Sequence, residues 1–412
     1  MMYFLLLACS VLLLLTYYWW KQQARDQAVS ENKSDKISIM SDKPLAGFQN
    51  ELLDLAFETA TSIPVDPHIK DRSRAQEAVV RTCIELDQPK KTLRFIERID
   101  NWRRGLCYAE LAFFCAQHSH IKETRRYLRS ASKIADEDIE KWRRDSIRVK
   151  MAQTHTLLGQ MRQADEFEVG LEVSESGKVA KVRAMLCEED SFDKQIIALD
   201  GFIASGNFDV LRNSLQACAQ LFDRFYTDEK RRSLVEKKIR TSWGTLPVFI
   251  QLELLMELAE SALDHADQSK AIELVNEAQL FVDDYQWPLE QRIARMAKLI
   301  ELRFRAGDSE KARTSADAAL ALFNTQRDKI VNIYRAEALR PLAEAYQSMG
   351  DTEAALSVYK QAVEEGMENP NSRPRAEDLA ATCCSMALHA VEPNLELWSR
   401  IRGIRNSLGD PW

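Results

Sequence analysis

This sequence of 412 residues predicts an all-α, helical-repeat fold, and three observations predict it. Six segments can be laid over one another in a single register, each reading as two amphipathic helices joined by a tight turn. Gly (13) and Pro (11) are sparse while charged residues make up 29%, which suits long helices and leaves little room for sheet. The turn position of the six copies holds Ser119, Gly159, Gly206, Ala266, Gly307 and Gly350, followed in the last four by Asn207, Asp267, Asp308 and Asp351. Gly ends one helix in the left-handed conformation and Asp or Asn caps the next. A stack of repeats grows in one dimension, so the length does not argue for several globular domains.

The elements follow in chain order. Residues 1–20 contain no charged side chain; as a helix they would span ~30 Å, the thickness of a bilayer's hydrocarbon core. A single transmembrane helix is predicted, closing on Tyr17, Tyr18, Trp19 and Trp20 and then Lys21, the order of an aromatic belt and a cation at the headgroup layer. A cleaved signal peptide would want cations before the apolar run and a small-residue cleavage site after it, and neither is present. Leu6-Leu7-Ala8-Cys9 resembles a bacterial lipobox, but the apolar run continues past Cys9 and no Lys or Arg precedes it. Lys21, Arg25, Lys33 and Lys36 all follow the span, which places the body on the cytoplasmic side. Asp26, Glu31 and Asp35 dilute that signal and leave a periplasmic or lumenal body as the alternative. A polar linker is predicted over residues 21–45.

The N-terminal helical-repeat section covers residues 46–226, opening with helices over 48–61 and 74–86 punctuated by Pro64, Pro67 and Pro89. Registering the copies on Thr124, Ala164, Leu211, Ala271, Ala312 and Ala355 gives spacings of 40, 47, 60, 41 and 43. The 60-residue gap calls for an insertion or junction, placed at 227–249. Repeats resume over 250–391, and residues 392–412 form a capping helix and tail, started by Pro393-Asn394 with Leu397, Trp398, Ile401, Ile404 and Leu408 on one side.

The clearest copy runs from Arg335 through Leu342, Ala343 and Tyr346, turns at Gly350-Asp351 and continues through Ala355, Tyr359 and Ala362. It resembles a tetratricopeptide repeat. Large residues such as Leu258, Leu299 and Leu342 in the first helices face small ones such as Ala278, Ala319 and Ala362 in the second, as in that family. The second copy departs from the pattern, with His155 and Glu168 at packing positions, and the spacings exceed the usual ~34 residues. The resemblance covers about residues 105–366. It implies a right-handed α-solenoid whose first helices line a concave groove that holds protein or peptide partners.

On that groove, one position is acidic in four copies: Asp200, Glu260, Glu301 and Glu344. This row is the candidate peptide-binding site, suited to partners with basic segments; the bland alternative is a solvated helix face. A second row, Arg104, Arg144, Arg292 and Arg335, reads as a link between repeats. The net charge of −7 is uneven, residues 90–150 carrying +7. The basic cluster Arg125, Arg126, Arg129, Arg143, Arg144 and Arg148 reads as a solvated face interleaved with acids, and no nucleic-acid motif accompanies it.

No catalytic, cofactor or metal site is predicted. The eight cysteines show no C-x-x-C, Cys383-Cys384 reads as packed core, and His118 and His120 fall at a repeat turn without a partner at metal spacing. There is no G-x-S-x-G, phosphate-cradling glycine loop or H-E-x-x-H. The sequence thus predicts a membrane-tethered, non-catalytic scaffold that organises protein or peptide partners. The alternatives are an assembly factor of the same fold with reversed topology, and an enzyme or ligand-sensing regulator with a pocket the sequence does not mark.

Overall fold

The structure, a computed structural model, describes residues 40–138, 140–172, 175 and 177–412. The predicted membrane span at 1–20 and most of the predicted linker lie outside the described residues. Among the described residues no helix is long and apolar enough to cross a membrane. The unit Asp42–Trp412 is all-helical, with no strand among its described residues.

Its helices are α1 (Gly47–Ser62), α2 (Ile69–Glu85), α3 (Pro89–Ile96), α4 (Arg103–Gln117), α5 (Ile121–Glu137), α6 (Lys141–Leu157) and α7 (Met161–Glu168). Next come α8 (Lys178–Met185), α9 (Phe192–Ala204), α10 (Phe208–Arg224), α11 (Glu229–Ser242), α12 (Val248–Asp264) and α13 (Gln268–Asp284). The last six are α14 (Leu289–Arg305), α15 (Ser309–Gln326), α16 (Asn332–Ser348), α17 (Thr352–Met367), α18 (Ser372–Leu388) and α19 (Leu395–Asn406).

Even-numbered helices form one continuous layer: α2 packs on α4, α4 on α6, and so on through α8, α10, α12, α14 and α16 to α18. Odd-numbered helices flank them, as in the pairs α4/α5, α6/α7, α12/α13, α14/α15 and α16/α17. The seam between layers is apolar and buried. Leu342, Ala343 and Tyr346 of α16 and Ala355, Tyr359 and Ala362 of α17 are all essentially inaccessible, and each fully buried large side chain contributes about 1.5–3 kcal/mol. Tyr346 still places its hydroxyl on Asp317 (2.8 Å) and Tyr359 shares a bond with Ser385 (2.7 Å), so the rings pack without orphaning their polar ends.

The turns carry the repeat. All six predicted turn residues adopt positive φ, from 59° at Ala266 to 91° at Gly307, and Asp87 and Ala390 extend the series. At seven of these turns the next residue returns its N–H to the carbonyl five residues back, as in Asp351 to Tyr346 (3.0 Å) and Asp267 to Ala262 (2.8 Å), which satisfies an orphan carbonyl of the ending helix. Asp267 and Asp351 then cap the following helices through Lys270 N–H (2.9 Å) and Ala354 N–H (3.0 Å). Asp308 instead accepts from the buried Arg303 guanidinium (3.0 Å).

Gly206 is the exception, and it corrects the sequence register. Asn207 directs its N–H to Ser205 Oγ (3.5 Å) rather than five residues back, and the turn leads from the odd helix α9 into the even helix α10. Leu211, registered from sequence in a second helix, therefore lies in a helix packed between α8 and α12. The stretch 227–249, read as an insertion, holds α11, the partner of α10. The odd helices from α3 onward begin at residues 89, 121, 161, 192, 229, 268, 309, 352 and 395, a series without a 60-residue gap. The Gly-Asn turn misled because αL glycine followed by a cap suits any helix-to-helix joint, within a repeat or between two.

The stack also closes on itself. Helix α1 packs against α18 more extensively than against its sequence neighbour α2, and α2 itself packs on α18. Gln49 of α1 donates to the Ala387 carbonyl of α18 (2.8 Å). Arg373 of α18 pairs with Asp71 of α2 (3.4 Å), and Arg402 of α19 pairs with Glu51 of α1. Phe57 of α1 stacks on Phe95 of α3, ring centroids 4.0 Å apart. The apolar faces at the two ends of the stack thus cover one another. On α19, capped by Asn394 (2.9 Å to Leu397 N–H), Leu397, Trp398, Ile401 and Ile404 are buried. The last residues of the predicted linker are docked: Lys90 N–H donates to the Asp42 carboxylate, and Gln88 binds the Lys43 carbonyl (2.7 Å).

Candidate functional site

The even-helix layer presents one charged face. Its residues recur at i, i+3/i+4 and i+7, as in Glu253, Glu257 and Glu260 of α12 or Glu337, Arg340 and Glu344 of α16, and most are half-buried.

The predicted acidic row is only partly brought together. Glu260, Glu301 and Glu344 lie at the same position of α12, α14 and α16. Asp200 lies on α9, in the other layer, where it pairs with Lys238 of α11, a direct result of the register change at Gly206. The three glutamates are already engaged. Lys298 of α14 bridges Glu260 (2.7 Å) and Glu301 (3.3 Å), and this pairing holds its ammonium charged against burial. Glu344 accepts from Ser385 Oγ (2.5 Å), with His389 at 3.8 Å. Lys298 stands three residues before Glu301, so that pairing was readable from helical spacing, although its reach to Glu260 was not.

The other arc of the face mixes cations, among them Arg81 and Lys150, with the carboxylates of Glu77 and Glu110. Lys150 of α6 lies over the Phe113 ring of α4, 5.1 Å from the centroid. Burial, with Arg81, Lys178 and Lys181 nearby, pushes its pKa down, while Glu110 opposes the shift. Glu110 is itself bound to Arg81 (2.9 Å). Among the second-row arginines, Arg292 reaches Asp283 of the preceding helix (3.5 Å), whereas Arg335 donates to the Ile330 carbonyl in the connection before its own helix (2.9 Å) and pairs with Glu365 of the helix that follows (3.6 Å). In the basic cluster of α5 and α6, Arg148 binds the Val169 carbonyl (3.1 Å) and Arg143 lies over Trp142, which meets Trp102 edge to face at 5.1 Å.

A cavity of about 530 Å³ opens where α2, α16 and α18 meet, at the closure. Ala78, Ala381, Cys384, Ile333 and Tyr334 are among its apolar lining, and Arg74, Arg340, Arg373, Glu337 and Glu377 supply its charge. Arg340 is fixed on Asp378 (3.0 Å). Burial pushes Glu377 above the usual carboxylate range despite Arg373 and Arg74.

The described cysteines are buried, and burial pushes Cys115, Cys218 and Cys384 up to about 12, which suppresses the reactive thiolate. His118 binds the Phe114 carbonyl through Nδ1 (2.9 Å). Among the described residues no group of three or more His, Cys, Asp or Glu side chains is placed to hold a metal ion.

No protein-family model matches the chain, and no curated protein matches it. Among solved structures, one described as a "Circular tandem repeat protein with novel repeat topology and enhanced subunit contact surfaces" aligns over 87% of this chain and 94% of its own, with 13% identity and a TM-score of 0.30.

Proposed function

We propose that this protein is a non-catalytic scaffold of tetratricopeptide-like repeats that binds protein or peptide partners along the face of its even-numbered helices. The observation that carries this reading is the continuous layer α2 to α18, which offers charged, half-buried side chains at regular spacing. The charge-free run at 1–20 supports tethering of the body to a membrane, and the cations after it support a cytoplasmic location. Crosslinking of the full-length protein in its native membrane, followed by identification of what co-purifies, is the test. Stoichiometric protein partners are expected, and recovery of the protein alone from repeated preparations overturns the reading. Protease added to sealed vesicles of each orientation decides the side: loss of the body only from inverted vesicles fits the cytoplasmic assignment.

A second reading, a ligand-sensing regulator, draws on the cavity at the closure. Its size falls within the ~300–1,000 Å³ of small-molecule sites. Ligand-induced thermal stabilisation that is lost in Ala381→Trp would favour it.

A further inference from the structure

We propose that the outward face of α5, from Lys122 to Lys133, rests on the anionic headgroups of the membrane that holds the run at 1–20. The inference rests on the tethering reading and adds the surface with which the body meets the lipid.

Helical spacing builds the face. Thr124, Tyr127, Leu128, Ala131 and Ala135 bury one side of α5, which turns Lys122, Arg125, Arg126, Arg129 and Lys133 together to solvent. In sequence this stretch is interleaved with acids, but on the helix they leave the cationic turns clear. Glu123 is half-buried at the flank, and Asp136 and Glu137 stand in the last turn, beside Ser132 (3.3 Å) and Lys133 (4.0 Å). Among the described residues no carboxylate lies within ion-pairing distance of Lys122, Arg125, Arg126 or Arg129. Helix α11 is as rich in cations, yet there Arg231 reaches Glu189 (3.8 Å), Lys238 pairs with Asp200, and Arg240 binds Glu236 and Glu277. On α7 Arg162 is outweighed by Asp165 and Glu166, and beside α3 Glu97 offsets one of Lys90 and Arg94. Unpaired positive charge on these outer helices is therefore concentrated on α5.

That charge suits any broad anionic surface; the path of the chain selects the membrane. Lys43 N–H bonds the Asp87 carbonyl (2.9 Å) and the Asp42 carboxylate accepts from Lys90 N–H (2.6 Å), so the linker enters the body at the turn between α2 and α3. The turn into α5 adjoins this point, His118 standing 3.9 Å from Asp87. Residues 21–41 keep the entry point within about 75 Å of a bilayer holding 1–20. A leaflet is thus always within reach, at an effective concentration that a free polyanion lacks, and the cytoplasmic leaflet is the anionic one. Ile121, exposed at the start of the helix, offers an apolar side chain to the headgroup layer.

The test reconstitutes the full-length protein into vesicles of phosphatidylcholine, alone or with phosphatidylserine, and reads each lysine by mass spectrometry after a membrane-impermeant acetylating reagent. Phosphatidylserine is expected to slow acetylation of Lys122 and Lys133 about threefold or more, to leave the exposed Lys230 and Lys237 of α11 unchanged, and to lose its effect in added salt. Joint Arg125→Gln, Arg126→Gln and Arg129→Gln should abolish the protection of Lys122. Lysine at the same three positions should keep it, because a leaflet reads charge rather than guanidinium geometry. Should the Gln variant melt early, Arg129→Gln alone still has to weaken the protection. Equal labelling of Lys122 in the two lipids, equal slowing of Lys230, or the same protection by a short RNA duplex on neutral vesicles overturns the proposal. A carbonate wash of the neutral vesicles tests the tether separately. Protein that stays while Lys122 remains unprotected keeps its anchor and loses the lipid face; protein that washes off loses the tethering reading, and the proposal with it.

Discussion

In the arc from α12 to α17, every even helix is covered by the helix that follows it in sequence, while at the closure α18 is covered largely by α1, more than three hundred residues away. In the arc the covering helix arrives through a left-handed turn of a few residues, so the contact forms at small entropic cost. At the closure the turn at Ala390 is also present, yet it delivers α19 to a position that shares α17 and α18, and α1 fills the remaining space. The same apolar stripe is therefore satisfied locally in one region and non-locally in the other. Local sequence signals describe the first and are silent on the second.

The largest expected effect tests whether that non-local contact is as firm as a local one. Phe57 of α1 and Phe323 of α15 are both fully buried, and alanine at either is expected to cost about 3–5 kcal/mol in chemical denaturation. The two should differ in hydrogen exchange. Phe57→Ala is expected to release α1 and α18 together, Phe323→Ala mainly α14 and α15. A cost below about 1 kcal/mol for Phe57→Ala would mean that the closure contributes little.

Close approach gives the next effect. A Cβ on Gly366 of α17 would stand 3.1 Å from Asp378 Cβ of α18, so Gly366→Ala is expected to destabilise by about 1–2 kcal/mol. Gly403 in α19 has open space around it, and Gly403→Ala should stabilise by up to about 1 kcal/mol through helix propensity alone. Thermal melts of the two variants moving in the same direction would contradict this description of the closure.

Turns provide a pair of opposite sign. Gly350→Ala forces a side chain into φ 79° and is expected to cost about 1–2 kcal/mol. Ala390→Gly relieves the same strain at φ 53° and should gain about 0.5–1 kcal/mol.

The smallest effect is in pH dependence, again with opposite signs. In the regular arc Asp351 is held below its ordinary 3.8 by the Ala354 N–H and then by Arg313. Its contribution is present above 3.8 and lost as pH falls through the lowered value. At the closure Glu377 is raised above 4.5 by burial. The folded state therefore carries a penalty that is absent below 4.5 and grows as pH rises through the raised value. Glu377→Gln should raise the melting midpoint at neutral pH by about 1–2 °C and flatten its pH dependence, whereas Asp351→Ala should lower it, costing about 1 kcal/mol as a lost cap. Parallel pH profiles for the two variants would contradict these environments.

Much of this architecture was legible in residues. Gly307 and Gly350 with their following aspartates announce two turns outright, whereas Asp87 and Ala390 also turn through a left-handed backbone although their identities give no hint of it. The third copy misled because Gly206-Asn207 has the same turn chemistry at a joint between repeats. Only the packing of α10 between α8 and α12 reveals the difference. Closure was not legible at all, since it depends on the summed geometry of every helix pair rather than on any one residue. Of the acidic row, Glu260, Glu301 and Glu344 do share a layer; that Glu260 and Glu301 share one cation depends on Lys298 reaching across to the neighbouring helix, and Glu344 is held by Ser385 instead.

The return of the last helices onto the first has a consequence for how such a chain can vary. An open stack tolerates gain or loss of a unit at either end, but here a missing or additional unit would leave α1 facing the wrong partner. Length variation among descendants of this sequence should therefore be confined to connections such as the one between α7 and α8, with the number of units held constant.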